Sequence, residues 1–282
     1  MRSDRGYQSD NVDDRRGEGG AGGFGGGGGG GLGLFSLLRI FSMFGWKGIV
    51  VGLIIAGVIA SRGMCGGATG TDTAPSASTS TTHRGVQSSP AEDELVHFVS
   101  FVFDDVQKSW HKRMPDYQNS RLELFRNSIR SACGTATSAV GPFYCPLDRR
   151  VYIDLAFYEE LRRRFGAPGD FAQAYVIAHE LGHHVQNQLG IMGGQRSADS
   201  IKIELQADCL AGAWGQDANG RGLLELGDVD EALNAAAQIG DDTLQKTATG
   251  HVQPETWTHG SSAQRVASFK KGYEGGPKAC GI

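Results

Sequence analysis

His179, Glu180 and His183 occur in the run His179-Glu180-Leu181-Gly182-His183, and their spacing decides what chemistry this chain can carry. Positions four apart on an α-helix lie one turn above each other, so the imidazoles of His179 and His183 can converge on one tetrahedral ion. Zinc suits such ligands. Glu180 then stands beside the ion, where a carboxylate can take a proton from a water that the metal has acidified toward neutrality. The chemistry this implies is hydrolysis.

Two imidazoles and a water leave zinc one protein ligand short. The run Glu204-Leu205-Gln206-Ala207-Asp208 offers two carboxylates one helical turn apart. Glu204 suits the third ligand, and Asp208 suits a partner that orients a ligating imidazole and fixes its tautomer. Hydrolysis of an amide also needs a donor for the oxyanion that forms. His259, in a loop running into a helix that Ser261 and Gln264 can cap, is the candidate, with Arg265 and Tyr175 as weaker ones. His184 lies about a hundred degrees around the helix from His183 and reads as a supporting or surface residue. His251 has no such motif around it.

These side chains need rigid elements. Asp170 to Leu189 reads as one amphipathic helix, capped by Asp170 and stopped by Gly190, and Phe171, Val176, Ile177 and Leu181 make it a core helix. The Glu204 helix can be capped by Ser197 or Asp199 and ended by Gly215 or Gly220. Ser89-Pro90-Ala91-Glu92 opens a further amphipathic helix to about Lys112. Leu122 to Phe125, Pro142 to Cys145 and Val151 to Asp154 are strand candidates, and Leu155 to Arg164, Asp228 to Ile239 and Ser262 to Lys271 are helical. The expectation is an α+β, mainly helical domain with a small sheet, in which Val151 to Asp154 forms a sheet edge that borders the cleft.

The run Val176 to Gln186, followed by Glu204-Leu205-Gln206-Ala207-Asp208-Cys209, resembles the bacterial neutral zinc metallopeptidase family. Further likeness lies in Ser9-Asp10-Asn11-Val12-Asp13-Asp14-Arg15-Arg16, Gly141 to Pro146, Val151 to Asp154, and Thr258-His259-Gly260. The resemblance implies a membrane-associated, gluzincin-like peptidase with one zinc ion per chain and a peptide or protein substrate. It implies no particular cleavage site.

Four segments follow from composition. Residues 1–34 are charged and then glycine-dominated, a composition that buries too little apolar surface to fold, and are expected to be disordered and cytoplasmic. Residues 35–61 hold an apolar run, Phe44 to Ala60, which reaches membrane-spanning length if Lys47 snorkels, and read as an uncleaved transmembrane signal anchor. Residues 62–89 are a Ser/Thr/Gly-rich linker, and 90–282 are the zinc metallopeptidase domain. Arg39 and Lys47 before the run against Arg62 after it favour a cytoplasmic N-terminus, hence an extracytoplasmic domain on a single-pass membrane protein. Oxidising conditions there would allow Cys133 to pair with Cys145 and Cys209 with Cys280, although Cys209 equally suits a buried thiol.

The 27 Lys and Arg against 31 Asp and Glu give a net charge of −4, with no basic stripe, so nucleic-acid binding finds no support. Arg162 to Arg164, after Glu159 and Glu160, reads as a solvated face. The sequence thus points to a zinc endopeptidase at the membrane, with His179, His183 and Glu204 on the metal, Glu180 as general base, Asp208 behind a ligand and His259 at the transition state. The competing readings are a zinc-stabilised binding or scaffold domain without turnover, and hydrolysis of a non-peptide amide.

Overall fold

Every polar residue of a strand must find partners, and it is the charged N-terminal motif that most changes the expected architecture. The computed structural model describes residues 1–18, 88–165, 169–192 and 197–282. Residues 1–18 are not disordered. Val12–Asp14 forms strand β1, which pairs in parallel with β2 (Arg121–Phe125) in the register Val12 to Leu122 and Asp14 to Leu124. The segment avoids the fate expected of a charged one because the charges from Asp13 to Arg16 are answered: Asp13 pairs with Arg121, Arg15 with Glu123, and Arg16 with Asp14 and Glu92. Asn11 and Tyr7 donate to Asp104 at 2.8 and 2.9 Å. The apolar run of residues 35–61 and most of the linker lie outside the described residues. Among the described residues no helix is long and apolar enough to cross a membrane.

Helix α1 (Pro90–His111) starts where the sequence places it, with the Ser89 hydroxyl accepting from the Glu92 amide and Pro90 in the first turn. After β2 come the hairpin β3 (Ser128–Ser131) and β4 (Gly134–Thr137), a 3-10 turn at Ser138–Val140, then β5 (Phe143–Cys145) and β6 (Arg150–Asp154). The main sheet runs β1-β2-β6-β5, and only the β5–β6 pair is antiparallel. β6 is therefore interior, paired with β2 along Arg150–Asp154 and with β5 over Arg150–Tyr152, and the edge expected at Val151 to Asp154 belongs instead to β5. Asp154 closes this end: its carboxylate accepts from the Asn127 and Ala156 amides and from the Ser138 hydroxyl.

The remaining chain is helical: α2 (Ala156–Phe165), α3 (Asp170–Gln188), α4 (Ser197–Gly220), α5 (Asp228–Gln238), α6 (Asp241–Thr249) and α7 (Ser262–Ala279), the last broken at Gly276. Gly169 rather than Asp170 is the cap of α3, and Gly190 ends it at φ 72°. Ser261 and Gln264 form the expected capping box at α7, which continues past Lys271. Helix α3 is buried almost all round, with Phe171, Tyr175, Ile177, Leu181 and Val185 in the core beside Val102, Phe103 and Trp214.

Helices α4 and α7 meet backbone to backbone. A Cβ on Gly212 would lie 2.0 Å from the Phe269 carbonyl, and one on Gly272 1.8 Å from the Cys209 carbonyl, so only glycine fits at either. Both expected disulfides are formed, Cys133–Cys145 and Cys209–Cys280. The second ties α4 to the end of α7 across the same contact. Arg162 and Arg163 are exposed and pair with Glu159, as expected of a solvated face.

Candidate metal centre

Close approach of α3 and α4 brings the chemistry-bearing side chains together. At Gly182, between the two motif histidines, an added Cβ would come within 3.1 Å of the Ala207 backbone. One donor atom each from His179, His183 and Glu204 lies within 4.8 Å of the others. His179 Nε2 is 3.2 Å from one Glu204 oxygen, and His183 Nε2 is 3.5 Å from the other.

The tautomers follow from the partners behind each ring. His179 Nδ1 lies 2.8 Å from Asp208 Oδ1, an atom that can only accept, so Nδ1 carries the hydrogen. His183 Nδ1 lies 2.8 Å from Gln186 Oε1, whose amide nitrogen is itself spent on Ile203 O and Gln206 Oε1. Both Nε2 lone pairs therefore face the Glu204 carboxylate. Lone pairs and anionic oxygens this close repel each other unless a cation sits among them, and two imidazoles with one carboxylate are a donor set that fits zinc.

Without a metal that cation is a proton. Burial by itself would lower the His179 pKa, but the Asp208 and Glu204 carboxylates outweigh it and raise it to about 10. His183 is raised against burial by Glu204, and Glu204 is held well below the usual carboxylate range by the two imidazoles, again against burial. In metal-free protein this contribution to stability is complete below the ordinary imidazole pKa of about 6.5 and is lost as pH rises toward about 10. Zinc needs the same nitrogens neutral, so its binding strengthens over that interval. The melting-temperature gap between zinc-loaded and metal-free protein should widen between about pH 6 and about pH 9. A gap that narrows with pH in differential scanning fluorimetry would detach zinc from this cluster.

Asp208 is completely buried and serves more than His179. It accepts from Tyr175 Oη at 2.5 Å and from Arg265 Nε and Nη2 at 2.9 Å each. Arg265 also donates to Tyr175 Oη and Ile239 O. Arg265 and Tyr175, the two weaker candidates for oxyanion donor, are thus committed to holding Asp208. Burial would raise the Asp208 pKa, yet Arg265 and His179 bring it down to about 2, so it is ionised throughout the neutral range.

A cavity of about 540 Å³ opens on the cluster, lined by His179, Glu180, His183 and Glu204 together with Phe143, Phe157, Met192, Ile203, Leu244 and His259. Glu180 lines it without belonging to the convergent trio. Residues 141–144, leading into and along edge strand β5, form one wall. His184, turned away, is fully buried with Nε2 at 2.7 Å from Gln118 O and Nδ1 at 3.0 Å from Tyr144 Oη, so it braces β5 against α3. Burial lowers its pKa to about 4.

His259 lines the same cavity. Its Nδ1 faces Asp241 Oδ1 at 3.2 Å, while Asp241 Oδ2 accepts the amides of Thr258, His259 and Gly260 at 2.8, 2.7 and 3.0 Å. Gly260 adopts φ 95°, a value that suits glycine. Burial would raise the Asp241 pKa, and the His259 side chain and these amides lower it. Neither Gln186 nor Asp241 emerges from the sequence reading. The i,i+3 step from His183 to Gln186 was a visible signal, whereas Asp241 opens a helix that no periodicity announces.

Residues 1–281 match the family described as "Putative neutral zinc metallopeptidase". "Uncharacterized protein YpfJ" of Escherichia coli (strain K12) is 46% identical over 206 residues, 68% of this chain and 72% of that protein. "Uncharacterized protein Rv2575" of Mycobacterium tuberculosis (strain ATCC 25618 / H37Rv) is 44% identical over 195 residues, 63% of this chain and 67% of the relative. No solved structure matches the chain.

Proposed function

We propose, for a chain that belongs to the neutral zinc metallopeptidase family, cleavage of peptide bonds at the cluster of His179, Glu180, His183 and Glu204. The family implies zinc as cofactor and a peptide or protein as substrate. The observation that carries the catalytic reading is the donor count. Three donors converge at the wall of an open cavity, whereas a purely structural zinc takes four protein ligands and closes its site.

In this reading His179, His183 and Glu204 hold the metal, and Asp208 and Gln186 keep the two imidazoles turned toward it. Zinc, when bound, acts as a Lewis acid toward the water and the carbonyl that meet there. Glu180 takes a proton from the water as its oxygen adds to the carbonyl carbon. It gives that proton to the amide nitrogen as the C–N bond breaks. His259, steadied at Nδ1 by Asp241, offers Nε2 to the oxyanion. The outer edge of β5 suits an extended substrate backbone, and Phe143, Phe157, Met192 and Ile203 suit an apolar side chain next to the scissile bond. Two disulfides favour an oxidising, extracytoplasmic compartment.

The test is zinc content and peptide-library cleavage by the full chain, with and without chelator. Residues 90–282 alone would lack β1. One zinc per chain and chelator-sensitive cleavage next to apolar residues are expected. Zinc bound with no cleavage of any library member would favour a scaffold. His259→Ala should lower kcat about 100- to 1,000-fold with zinc content unchanged, the loss typical of a missing oxyanion donor. An unchanged kcat would remove His259 from the mechanism.

A further inference from the structure

The sequence motif Ser9 to Arg16 plays no part in the hydrolytic site, and its position in the fold constrains where the whole chain can lie. β1 precedes the apolar run of residues 44–60 and β2 follows it, yet the two strands share a sheet. The Leu122 amide donates to Asn11 O and the Arg15 amide to Leu124 O, both at 2.8 Å. Arg16, 5% exposed, lies 3.1 Å from Glu92, and Glu92 also takes a hydrogen bond from Arg126. Residues just before and just after the intervening chain are therefore in side-chain contact. Tyr7 adds a second anchorage, with its ring edge-on to Phe101 and its carbonyl 2.8 Å from His97 Nδ1 on α1.

A hydrocarbon layer about 30 Å thick cannot separate hydrogen-bonded strands. A single crossing between residues 18 and 88 would leave β1 on one face of the bilayer and β2 on the other. A neighbouring copy could not supply the missing strand, since every copy would be inserted in the same sense. We propose that residues 1–18 and 88–282 lie on one and the same side of the membrane, the oxidising side, with no net passage of the chain between them. Their compartment is the one in which Cys133–Cys145 and Cys209–Cys280 form. This replaces the single-pass arrangement with a cytoplasmic N-terminus expected from the charges around residues 39–62, and it stands independently of the peptidase reading.

The test uses the full chain with Cys65→Ser, to remove the cysteine outside the two disulfides, and either Gln8→Cys or Lys270→Cys, both at exposed positions. Cells are treated with a membrane-impermeant maleimide before or after permeabilisation of the cytoplasmic membrane. The ratio of labelling before to labelling after should be close to one at both positions. A ratio near zero at position 8 and near one at position 270 would restore the single crossing and overturn the proposal. Ratios near zero at both would overturn the placement on the oxidising side. The label added after permeabilisation reports that each position is reachable, and a thermal melt matching the parent shows that each variant folds.

Discussion

Glu180→Gln should leave one zinc per chain and an unchanged melting temperature while lowering kcat by at least about 100-fold, the lower end of what a positioned general base supplies. The substitution keeps the shape of the side chain and removes its ability to carry a proton. Glu180 stands outside the trio of convergent donors but on the wall of the same cavity, so metal retention and loss of turnover should separate cleanly. Atomic absorption and cleavage of a fluorogenic peptide measure the two. Turnover within tenfold of the parent would eliminate Glu180 as proton carrier, and loss of zinc would make it a ligand.

The second large effect is expected at Asp208. Replacing it by alanine strands the Arg265 guanidinium in the interior, where breaking a buried pair costs about 3–5 kcal/mol. It also frees the His179 ring, and loss of such a partner behind a ligand typically weakens metal binding about 10- to 100-fold. The two losses have different sources and can be told apart. Asp208→Ala combined with Arg265→Met removes the stranded charge, so urea unfolding should recover most of the stability while zinc affinity, read by competition with a chromophoric chelator, stays low. Recovery of both would mean that Asp208 acts only through packing. Since the Asp208 pKa is about 2 in the fold against an ordinary 3.8, its contribution is complete above about pH 4 and is lost as pH falls through about 2.

The pairing of His179 with His183 and of Glu204 with Asp208 was legible in the sequence because helical spacing is a local rule, whereas the meeting of the two helices followed only from the ligand that zinc still lacked. The disulfide partners were legible for a weaker reason, since four cysteines allow few pairings. What escaped depends on distant partners. Val12-Asp13-Asp14 has one apolar side chain and looks like solvated coil until Arg121, Glu123 and Arg150 are beside it. Whether β5 or β6 is the edge is a question of sheet order, which the side chains of either strand alone do not decide. Helix α6 is short and largely polar, so tertiary anchoring of Asp241 rather than periodicity holds it in place.

The contact between Arg16 and Glu92 also makes this molecule a candidate for surgery. Because the chain leaves just after β1 and re-enters at the start of α1, where Arg16 and Glu92 meet, residues 19–87 could be excised and the ends rejoined by a short Gly/Ser bridge. Each bridging residue spans up to about 3.5 Å, so roughly six to eight would close the gap without strain. The product would keep β1, both disulfides and every side chain around the cluster. A shorter connection costs less entropy to close, so the excised protein should melt no lower than its parent.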